Sequence, residues 1–486
     1  MDSNRVRLAL VRETSIGTPP GTPRMRTMRI TREGLQYVPK FFNSGEIRAD
    51  RMSADPALMN NDNSGSFDFE VSFPTDGTMI SELFQSAMLN LWTNTPVRYN
   101  DGVAASVITA ITVTTNVVTF TTGAAYAVGH LVQNSGFGIA GNNGLFPVTT
   151  GGATSYTSTA AGFATEASPP AQARCKVVGF QGVSADITAT ASGLASTTMD
   201  FTTLGLSVGQ WLKIGGTGTN FRFSTVAANN DWVRITAIAA HALTCDNLPT
   251  GWGVDAGTGK TLRVYFGDLI RNGVTPVTLA VERAFTDLAT PVYIYQKGFS
   301  VDTMQVTMAT DQGIVATAAL KGLTGTQGTV ANGTSYDAAT TALVMTSNVA
   351  VGRIAEAGVP ISSPNWVRNL NFTMANNVRQ INAVGNVGAV TLGFGEIGIT
   401  GTLDTYFGSN AFLTKLLAGT VSNLSARAAA NSQALVVTFP RVTFTAGSPN
   451  AGGKNQDVGL PLSFMTSIDP VTNCEIDFQR LEYWEV

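Results

Sequence analysis

Two short stretches contain the residue types with which phosphate-binding loops hold a nucleotide. Residues 136–141 fit a GxGxxG pattern, in which glycines let the backbone approach a pyrophosphate at the start of a helix. Residues 142–147 contain Asn, Gly and Pro where that helix would have to begin. Residues 259–261 read Gly-Lys-Thr, but Val254 stands where such a loop needs a glycine. We therefore predict turns at both places and no nucleotide cofactor.

Few side chains in this chain could bind a metal ion or act as a nucleophile. The histidines and cysteines are His130, His241, Cys175, Cys245 and Cys474. None of the cysteines or histidines has the spacing of a metal site, and a repeated pattern places Gln210 at the position equivalent to His130. We expect buried free thiols, histidines at turns or on the surface, and no metal or other cofactor.

Asp68 and Glu70 are two carboxylates that lie on one face of a predicted strand. Glycosidases need two carboxyl groups at a defined separation, so such a pair could belong to a glycan hydrolase. Same-face carboxylates are also common on solvated strands, and we expect no enzymatic activity. Three tryptophans of one region could bind a glycan, but we expect core positions for them. They are Trp211, Trp232 and Trp252.

Composition and charge exclude several classes of protein. Charged residues make up 13% of the 486 residues and the formal net charge is -3, so no basic surface is available to hold a nucleic-acid backbone. The sequence has no signal-peptide pattern and no run of about 18 apolar residues, and we expect a protein that stays in the cytoplasm where it is made. The 50 glycines, with frequent Thr, Val and Asn, predict an all-β chain with minor α content.

The clearest predicted strand runs from residue 65 to residue 73, because apolar and polar residues alternate along it. Its apolar face consists of Phe67, Phe69, Val71 and Phe73. Burying these side chains stabilises the fold by roughly 6–12 kcal/mol before entropy is counted. A Pro-Thr-Asp-Gly turn follows at residues 74–77, and apolar residues then recur at helical spacing over residues 80–87. The pattern predicts a strand, a turn and a short amphipathic helix.

This unit has a second copy nearer the end of the chain. Residues 396–417 repeat the order strand, turn, apolar stretch, and Phe407 stands at the position of Phe73. Residues 292–321 and 436–466 form another matching pair, each with two strands, a loop and a strand. The shared order of these units predicts an internal duplication.

A long insertion separates the two halves of the first copy. Within it, Phe-Thr-Thr followed by Val-Gly occurs at residues 120–129 and again at residues 201–209. We interpret the insertion as two tandem small β modules, residues 100–180 and 181–263. Insertions of this kind are tolerated at exposed loop tips, so we expect the modules to project outward from the host domain.

Several motifs outside the insertion are typical of one known family. They are residues 13–20 (Glu-Thr-Ser-Ile-Gly-Thr-Pro-Pro), 44–51, 281–288, 298–304 and 319–322. Through them, residues 1–95 and 277–486 resemble the major tail tube proteins of siphophages, the phages with long non-contractile tails. The resemblance implies a tube domain of two packed β-sheets, as a sandwich or barrel with a flanking helix. It also implies rings that stack into a hollow cylinder through which the genome and the tape measure protein pass.

The duplication and the resemblance together predict two tail tube domains. The first is discontinuous, residues 1–99 plus 264–330, and the second is residues 331–486. We expect a structural protein of the virion tail that self-assembles in the host bacterial cytoplasm. The implied partners are further copies of the chain, the tape measure protein, the distal tail or baseplate hub and the tail terminator protein. Viral DNA would pass without specific binding, and no membrane is involved.

One face of a tube-domain sheet packs on the core, and the other can line the bore. Asp68, Glu70 and Asp404 have matching parity in the two copies, and we hypothesise that they face or rim the lumen, where negative charge keeps DNA from adhering. They could equally form pairs between subunits. Two tube domains per chain predict a trimeric, pseudo-hexameric ring, against a homohexamer. Residues 12–45 and 298–330 are candidate ring-to-ring arms.

Other classes remain as alternatives. A secreted or surface β-repeat adhesin or carbohydrate-binding protein would share the Thr- and Gly-rich composition but should have a secretion signal. A tailspike-like glycan hydrolase would cleave polysaccharide. Within the structural class, the alternative is the inner tube protein of a contractile tail.

Overall fold

The computed structural model describes residues 2–102, 105–159, 162–348 and 350–486. Within these ranges the chain is mostly β-strand with two α-helices, which confirms the predicted all-β class with minor α content. The helices are α1 (Met79–Met88) and α2 (Ala411–Ala418). Short 3-10 helices occur at Ser3–Arg5, Ala140–Asn142, Phe201–Thr203, Thr219–Phe221 and Ala227–Asn229.

The strands follow one another along the chain. Up to residue 157 they are β1 (Val6–Arg12), β2 (Arg24–Met28), β3 (Arg32–Glu33), β4 (Gln36–Phe42), β5 (Ala57–Glu70), β6 (Val97–Tyr99), β7 (Ile108–Thr112), β8 (Val117–Phe120), β9 (His130–Ser135), β10 (Gly144–Pro147), β11 (Thr150–Gly151) and β12 (Ser155–Thr157). From residue 174 to 285 they are β13 (Arg174–Gln181), β14 (Thr188–Thr190), β15 (Gly193–Ala195), β16 (Trp211–Ile214), β17 (Trp232–Ala239), β18 (Ala242–Asp246), β19 (Arg263–Tyr265), β20 (Asp268–Arg271) and β21 (Leu279–Phe285).

The remaining strands belong to the C-terminal part. Up to residue 375 they are β22 (Val292–Ala309), β23 (Val315–Lys321), β24 (Thr324–Gly328), β25 (Ser335–Asp337), β26 (Val351–Glu356), β27 (Val359–Pro360) and β28 (Val367–Ala375). After it they are β29 (Arg379–Ile381), β30 (Thr391–Gly393), β31 (Gly398–Tyr406), β32 (Val421–Ala430), β33 (Gln433–Gly447), β34 (Gly459–Thr466) and β35 (Asp477–Leu481).

The structure contains the same substructure twice. The sequence of elements β5, α1, β21, β22, β23 recurs as β31, α2, β32, β33, β34. In both copies the strands pair antiparallel in the same order, β5–β23–β22–β21 and β31–β34–β33–β32. The registers agree, because Phe69 lies opposite Ala316 and Leu403 lies opposite Leu462. The predicted duplication is therefore confirmed.

The two copies bury their apolar faces in one shared core. Phe84 of α1 contacts Phe478 with ring centres 4.7 Å apart, and Phe372 contacts Phe439 at 5.1 Å. The helix predicted from residues 80–87 is α1, and it packs against β2, β20 and β22. It ends at Leu89, whose left-handed backbone (φ 45°) lets its N–H bond the carbonyl of Gln85. The helix thus closes one side of the core.

The first predicted strand differs from the observed one at both ends. β5 begins eight residues earlier, since residues 57–64 form a hairpin with β4 that the apolar alternation did not reveal. It ends at Glu70, although Val71 and Phe73 are buried as expected. The hairpin exposes Phe41, Phe42 and Ile47 to solvent.

Residues 298–330, predicted as a ring-to-ring arm, do not form an arm separate from the core, and their role in ring-to-ring contacts stays a prediction. This stretch contains most of β22 together with β23 and β24. Val301, Met304 and Leu320 from it are almost completely buried in the shared core. Small and polar residues alternate with apolar ones in this stretch, and the sequence analysis did not identify its strands, which are buried on one face only.

The insertion has its own core and forms a small sheet, β11–β12–β8–β7, and a larger one. Strands of the larger sheet run in the order β10–β9–β13–β19–β16–β17–β18–β15–β14, and β6 also pairs with β13. β13 lies in the first predicted module, and β19 begins at residue 263, the last residue of the second predicted module. These two strands pair, with Gly179 opposite Tyr265. The two predicted modules therefore share one sheet, and the division of the chain at residues 99, 180, 263 and 330 stays a prediction.

Buried ion pairs attach this sheet to the duplicated part. Lys176 of β13 lies 2.7 Å from Asp268 of β20, and Arg480 of β35 lies 2.8 Å from the other oxygen of Asp268. Glu482 accepts from Arg174 beside them. Burial alone would raise the pKa of Glu482, but the positive charges of Lys176 and Arg174 outweigh burial and lower that pKa.

Among the described residues, neither α-helix has the length and the apolar composition of a membrane-spanning helix.

Candidate assembly site

Eight strands of the described chain form one continuous layer that crosses both copies. Their order is β3–β5–β23–β22 from the first copy, followed by β28–β31–β34–β33 from the second. Each copy thus contributes four strands, and all neighbouring pairs are antiparallel. The layer is the part of the fold in which the duplication produces a single surface.

One face of this layer is apolar and covers the core. Along β22, Met304 and Val306 point into the core, and along β28 Phe372 does the same. Because side chains alternate between the faces of a strand, the residues between these positions lie on the opposite face. That face is polar and mostly uncharged. It carries Thr303, Gln305, Thr307, Thr317, Asn369, Asn371, Thr373, Thr400, Thr402 and Ser463.

The three carboxylates singled out in the sequence lie on this polar face. Asp68 accepts hydrogen bonds from Arg32 and from the Thr317 hydroxyl, both at 2.8 Å. Glu70 is exposed two residues further along the same strand. Asp404 lies on β31, four strands from Asp68 or roughly 19 Å at the usual strand spacing. Its nearest cation is Arg368, at 3.9 Å.

Sequence reasoning missed the uncharged part of the face. The signal was present, because Thr303, Gln305 and Thr307 alternate with buried residues over β22. The same alternation runs through Asn369, Asn371 and Thr373 of β28. The prediction of the face rested on its carboxylates, whereas threonine was taken only as a general sign of β-strands and asparagine as a sign of turns.

The two copies are joined by direct strand pairing. Seven residue pairs connect β22 to β28, from Thr303 opposite Ala375 to Ala309 opposite Asn369. The Gln305 side chain donates to the Asn371 side chain across this junction at 3.1 Å. β22 pairs with β21 up to Phe299 and with β28 over residues 303–309, so the junction lies in the part of β22 beyond its pairing with β21.

The equivalent part of the second copy has an open edge. β33 corresponds to β22, and residues 444–447 extend beyond its pairing with β32. They pair with β34 on one side, and no strand of the described chain pairs on the other. By the same correspondence, residues 30–36 of the first copy match β28. They pair with β5 on one side and with no described strand on the other. The eight-strand layer therefore ends in two unpaired edges.

The other sequence candidates do not form reactive sites. Residues 136–141 lead into a three-residue 3-10 helix, and a side chain on Gly141 would lie 2.2 Å from the Gly162 carbonyl oxygen. Lys260 donates to the Thr219 carbonyl oxygen at 3.0 Å. His130 lies at a turn, as expected, but it is buried and not exposed. In the described residues no group of three or more His, Cys, Asp or Glu could hold a metal ion.

The cysteines and tryptophans occupy structural positions. All three cysteines are buried and free, as predicted, and burial raises the pKa of the Cys245 and Cys474 thiols to about 12. Trp211 and Trp232 are buried between the insertion and the second copy, and Trp252 is partly buried against the insertion core. This agrees with the expected core role.

Comparison with known families agrees with the duplicated architecture. The chain matches the family described as phage tail tube protein twice in tandem, over residues 3–248 and 247–466. The first match runs through residues 100–248, which the resemblance found in the sequence had left outside. No curated protein matches the chain. Since the two matches together span nearly the whole sequence, the chain belongs to the phage tail tube protein family, whose role in the tail is structural.

Proposed function

We propose that this chain assembles into rings that stack into the hollow tail tube, through which viral DNA and the tape measure protein pass. Assembly takes place in the host bacterial cytoplasm, and the tube ends contact the tail terminator and the distal tail or baseplate hub. The two tail tube domains, residues 1–99 with 264–330 and residues 331–486, supply neighbouring positions of one ring. The modules at residues 100–180 and 181–263 project from its outer wall.

The observation that carries this proposal is the pairing of β22 with β28. That junction joins two equivalent four-strand units inside one chain. The edge at residues 444–447 and the edge at residues 30–36 are the equivalent pair, left open at the two ends of the layer. Pairing the edge at residues 444–447 of one chain with the edge at residues 30–36 of the next repeats the in-chain junction between chains. A head-to-tail contact of this kind forms a ring when its rotation closes, and we propose that it closes here.

The strand count favours three chains. Three layers of eight strands give a barrel of about 24 strands, which at ~4.8 Å per strand is roughly 115 Å around and about 37 Å across between backbones. Strand tilt would widen this somewhat. Such a bore admits a DNA duplex with side chains lining the wall, whereas six chains would double the diameter. We therefore favour the trimeric, pseudo-hexameric ring over the homohexamer.

The polar face of the layer would line the bore. DNA binds surfaces rich in Lys and Arg because counterions are released, and a face of Thr, Asn, Gln and Ser offers no such gain. Asp68, Glu70 and Asp404 add negative charge, and Arg32 is already paired with Asp68. The face is thus suited to let DNA slide.

Disulfide cross-linking tests the ring directly. Within the chain, Gln305 of β22 lies opposite Thr373 of β28. Ala446 is the residue equivalent to Gln305, and Gly34 is the residue equivalent to Thr373. If the two open edges pair in the same register, Ala446 therefore lies opposite Gly34 of the next chain. In a Gly34→Cys/Ala446→Cys variant we expect covalent dimers and trimers on non-reducing gels. The matched control, Gln305→Cys/Thr373→Cys, should stay at the mass of one chain.

The outcome also decides the number of chains. A cross-linked series that ends at three chains supports the trimer, and a series that continues to six supports the homohexamer. If the assembled protein gives no cross-link between chains while the control forms its disulfide, the proposed edge pairing is wrong. Electron microscopy of the same sample shows whether rings and tubes are present.

A further inference from the structure

Two arginines face each other directly across neighbouring strands on the second copy. Arg353 of β26 lies opposite Arg427 of β32 in the antiparallel register. Directly opposed residues project from the same face of a sheet, and like charges at such positions destabilise the pairing. An arrangement of this kind calls for a negative charge near both guanidinium groups.

The chain itself supplies little compensation. Among the described residues, the exposed Asp231 is the carboxylate whose charge raises the pKa of both arginines. Burial nevertheless lowers the pKa of Arg353, and burial together with Arg353 lowers the pKa of Arg427 to about 10. Lys213 lies close enough to add to the positive charge, and its own Nζ donates to backbone carbonyls of Ile214 and Asn230.

Both guanidinium groups retain unused hydrogen-bonding capacity. The buried Nε atoms of Arg353 and Arg427 have no partner in the described part of the chain. Arg427 lies over the ring of Trp232, 4.7 Å from its centre, and Arg353 lies 5.7 Å from the ring centre of Trp211. The tryptophan faces hold the two planar groups in place without neutralising them.

These groups line a cleft between the insertion and the duplicated part. Its volume is about 570 Å³. One wall belongs to the insertion and consists of Ala227, Ala228, Asn230, Asp231 and residues 248–250. The other belongs to the second copy and consists of Gly352, Arg353, residues 358–360 and Arg427. The cleft is open to solvent and large enough for a small polyatomic anion with its hydration water.

We propose that this cleft binds an oxyanion, in the form of a phosphate or sulfate group, that bridges Arg353 and Arg427. Arginine recognises such groups through paired N–H donors. The bound anion removes the repulsion between the two arginines of the β26–β32 pair. Asp231 at the same cleft competes with the anion for the arginines.

Calorimetric titration of the full chain with inorganic phosphate, at constant ionic strength set with chloride, tests the site. We expect saturable binding of one phosphate per chain, and the midpoint of thermal unfolding should rise with phosphate concentration. Sulfate should compete for the same site. Asp231→Asn should tighten phosphate binding by roughly two- to fivefold, because a competing negative charge is removed.

Two substitutions complete the test. Arg427→Gln should abolish phosphate binding, and Arg222→Gln, which changes an exposed arginine of the insertion, should leave it unaltered. Absence of saturable phosphate binding by the unmodified chain would overturn the proposal. So would unaltered or weaker binding in Asp231→Asn, a variant that remains informative even if Arg427→Gln does not fold.

Discussion

His130 and Gln210 make the same two kinds of hydrogen bond at equivalent turns of the insertion. His130 Nδ1 accepts the N–H of Ala127 at 3.0 Å, and the Gln210 side-chain oxygen accepts the N–H of Ser207, also at 3.0 Å. On the other side, His130 Nε2 donates to the Leu204 carbonyl and Gln210 Nε2 donates to the Gly267 carbonyl. The imidazole therefore serves as a neutral substitute for an amide.

This equivalence predicts the effect of pH. Burial lowers the pKa of His130 from 6.5 to about 4, although the bond to Leu204 acts in the opposite direction. As pH falls, His130 is therefore protonated in the unfolded chain at a higher pH than in the folded chain. Stability contributed by His130 is complete above pH 6.5 and is lost as pH falls toward 4, by at most roughly 3 kcal/mol.

We predict that His130→Gln keeps the free energy of unfolding at pH 8 and removes part of its loss between pH 6.5 and 4. Urea unfolding followed by tryptophan fluorescence at pH 8 and pH 4.5 measures both. His241→Gln is the matched control, because that ring is partly exposed and accessible to water. Parallel loss of stability in the unmodified chain and in His130→Gln would contradict the prediction.

A second prediction concerns the ion pairs that hold the insertion. Asp268 is completely buried between Lys176 and Arg480, so Asp268→Asn removes the closest carboxylate of each buried cation and leaves only the longer contacts with Glu482 and Asp76 among the described residues. Removing one member of a buried network costs about 3–5 kcal/mol. We expect a much lower midpoint of thermal unfolding.

The control for this prediction is Asp62→Asn, which breaks the exposed pair with Lys40. Exposed pairs are worth about 0–1 kcal/mol, so the midpoint should hardly move. Equal effects of the two substitutions would mean that the buried network does not hold the insertion.

A third prediction concerns the polar face as the wall of the bore. Asp68→Lys, Glu70→Lys and Asp404→Lys together place nine additional cations in a ring of three chains. We expect tubes to form but to retain DNA at low salt and to release it as salt rises, with reduced delivery of DNA to the host. The neutral set Asp68→Asn, Glu70→Gln and Asp404→Asn should behave nearly as the unmodified protein. Normal tubes with unimpaired DNA delivery in the lysine variant would contradict the lumen position.

Sequence reasoning succeeded where local patterns were strong. The alternation around Phe67 and Phe69 was sufficient to predict the second half of β5, and the helical spacing of Leu83 and Phe84 was sufficient to predict α1. The matching parity of Phe407 then revealed the second copy. These features depend on residues close together in the chain, for which hydrophobic periodicity is a direct signal.

The remainder of the fold depends on pairings between distant residues. β20 pairs with β35, so that Asp268 and Arg480 meet across more than two hundred residues. The opposition of Arg353 and Arg427 depends on the pairing of β26 with β32, two strands that are far apart in the chain. No local pattern encodes such contacts, and the two modules predicted in the insertion share a sheet for the same reason.

The last prediction concerns the geometry of an open edge. Gly65 of β5 has φ 135°, and a side chain there would lie 2.4 Å from the Gly34 carbonyl oxygen and 2.6 Å from the Leu35 Cα. Gly65→Ala must therefore push residues 34 and 35 away from β5, which costs roughly 1–3 kcal/mol. We expect a folded monomer with a displaced edge and a loss of ring formation, measured by size-exclusion chromatography and electron microscopy.

Gly45→Ala separates this effect from a general loss of glycine. It lies in the same hairpin, and nothing lies within 4 Å of the added carbon. This variant should form rings normally. Because Gly34 and Leu35 belong to the edge that we propose pairs with residues 444–447 of the next chain, a shift of the edge should affect assembly more than folding. Normal rings from a folded Gly65→Ala variant would mean that chains meet through another surface.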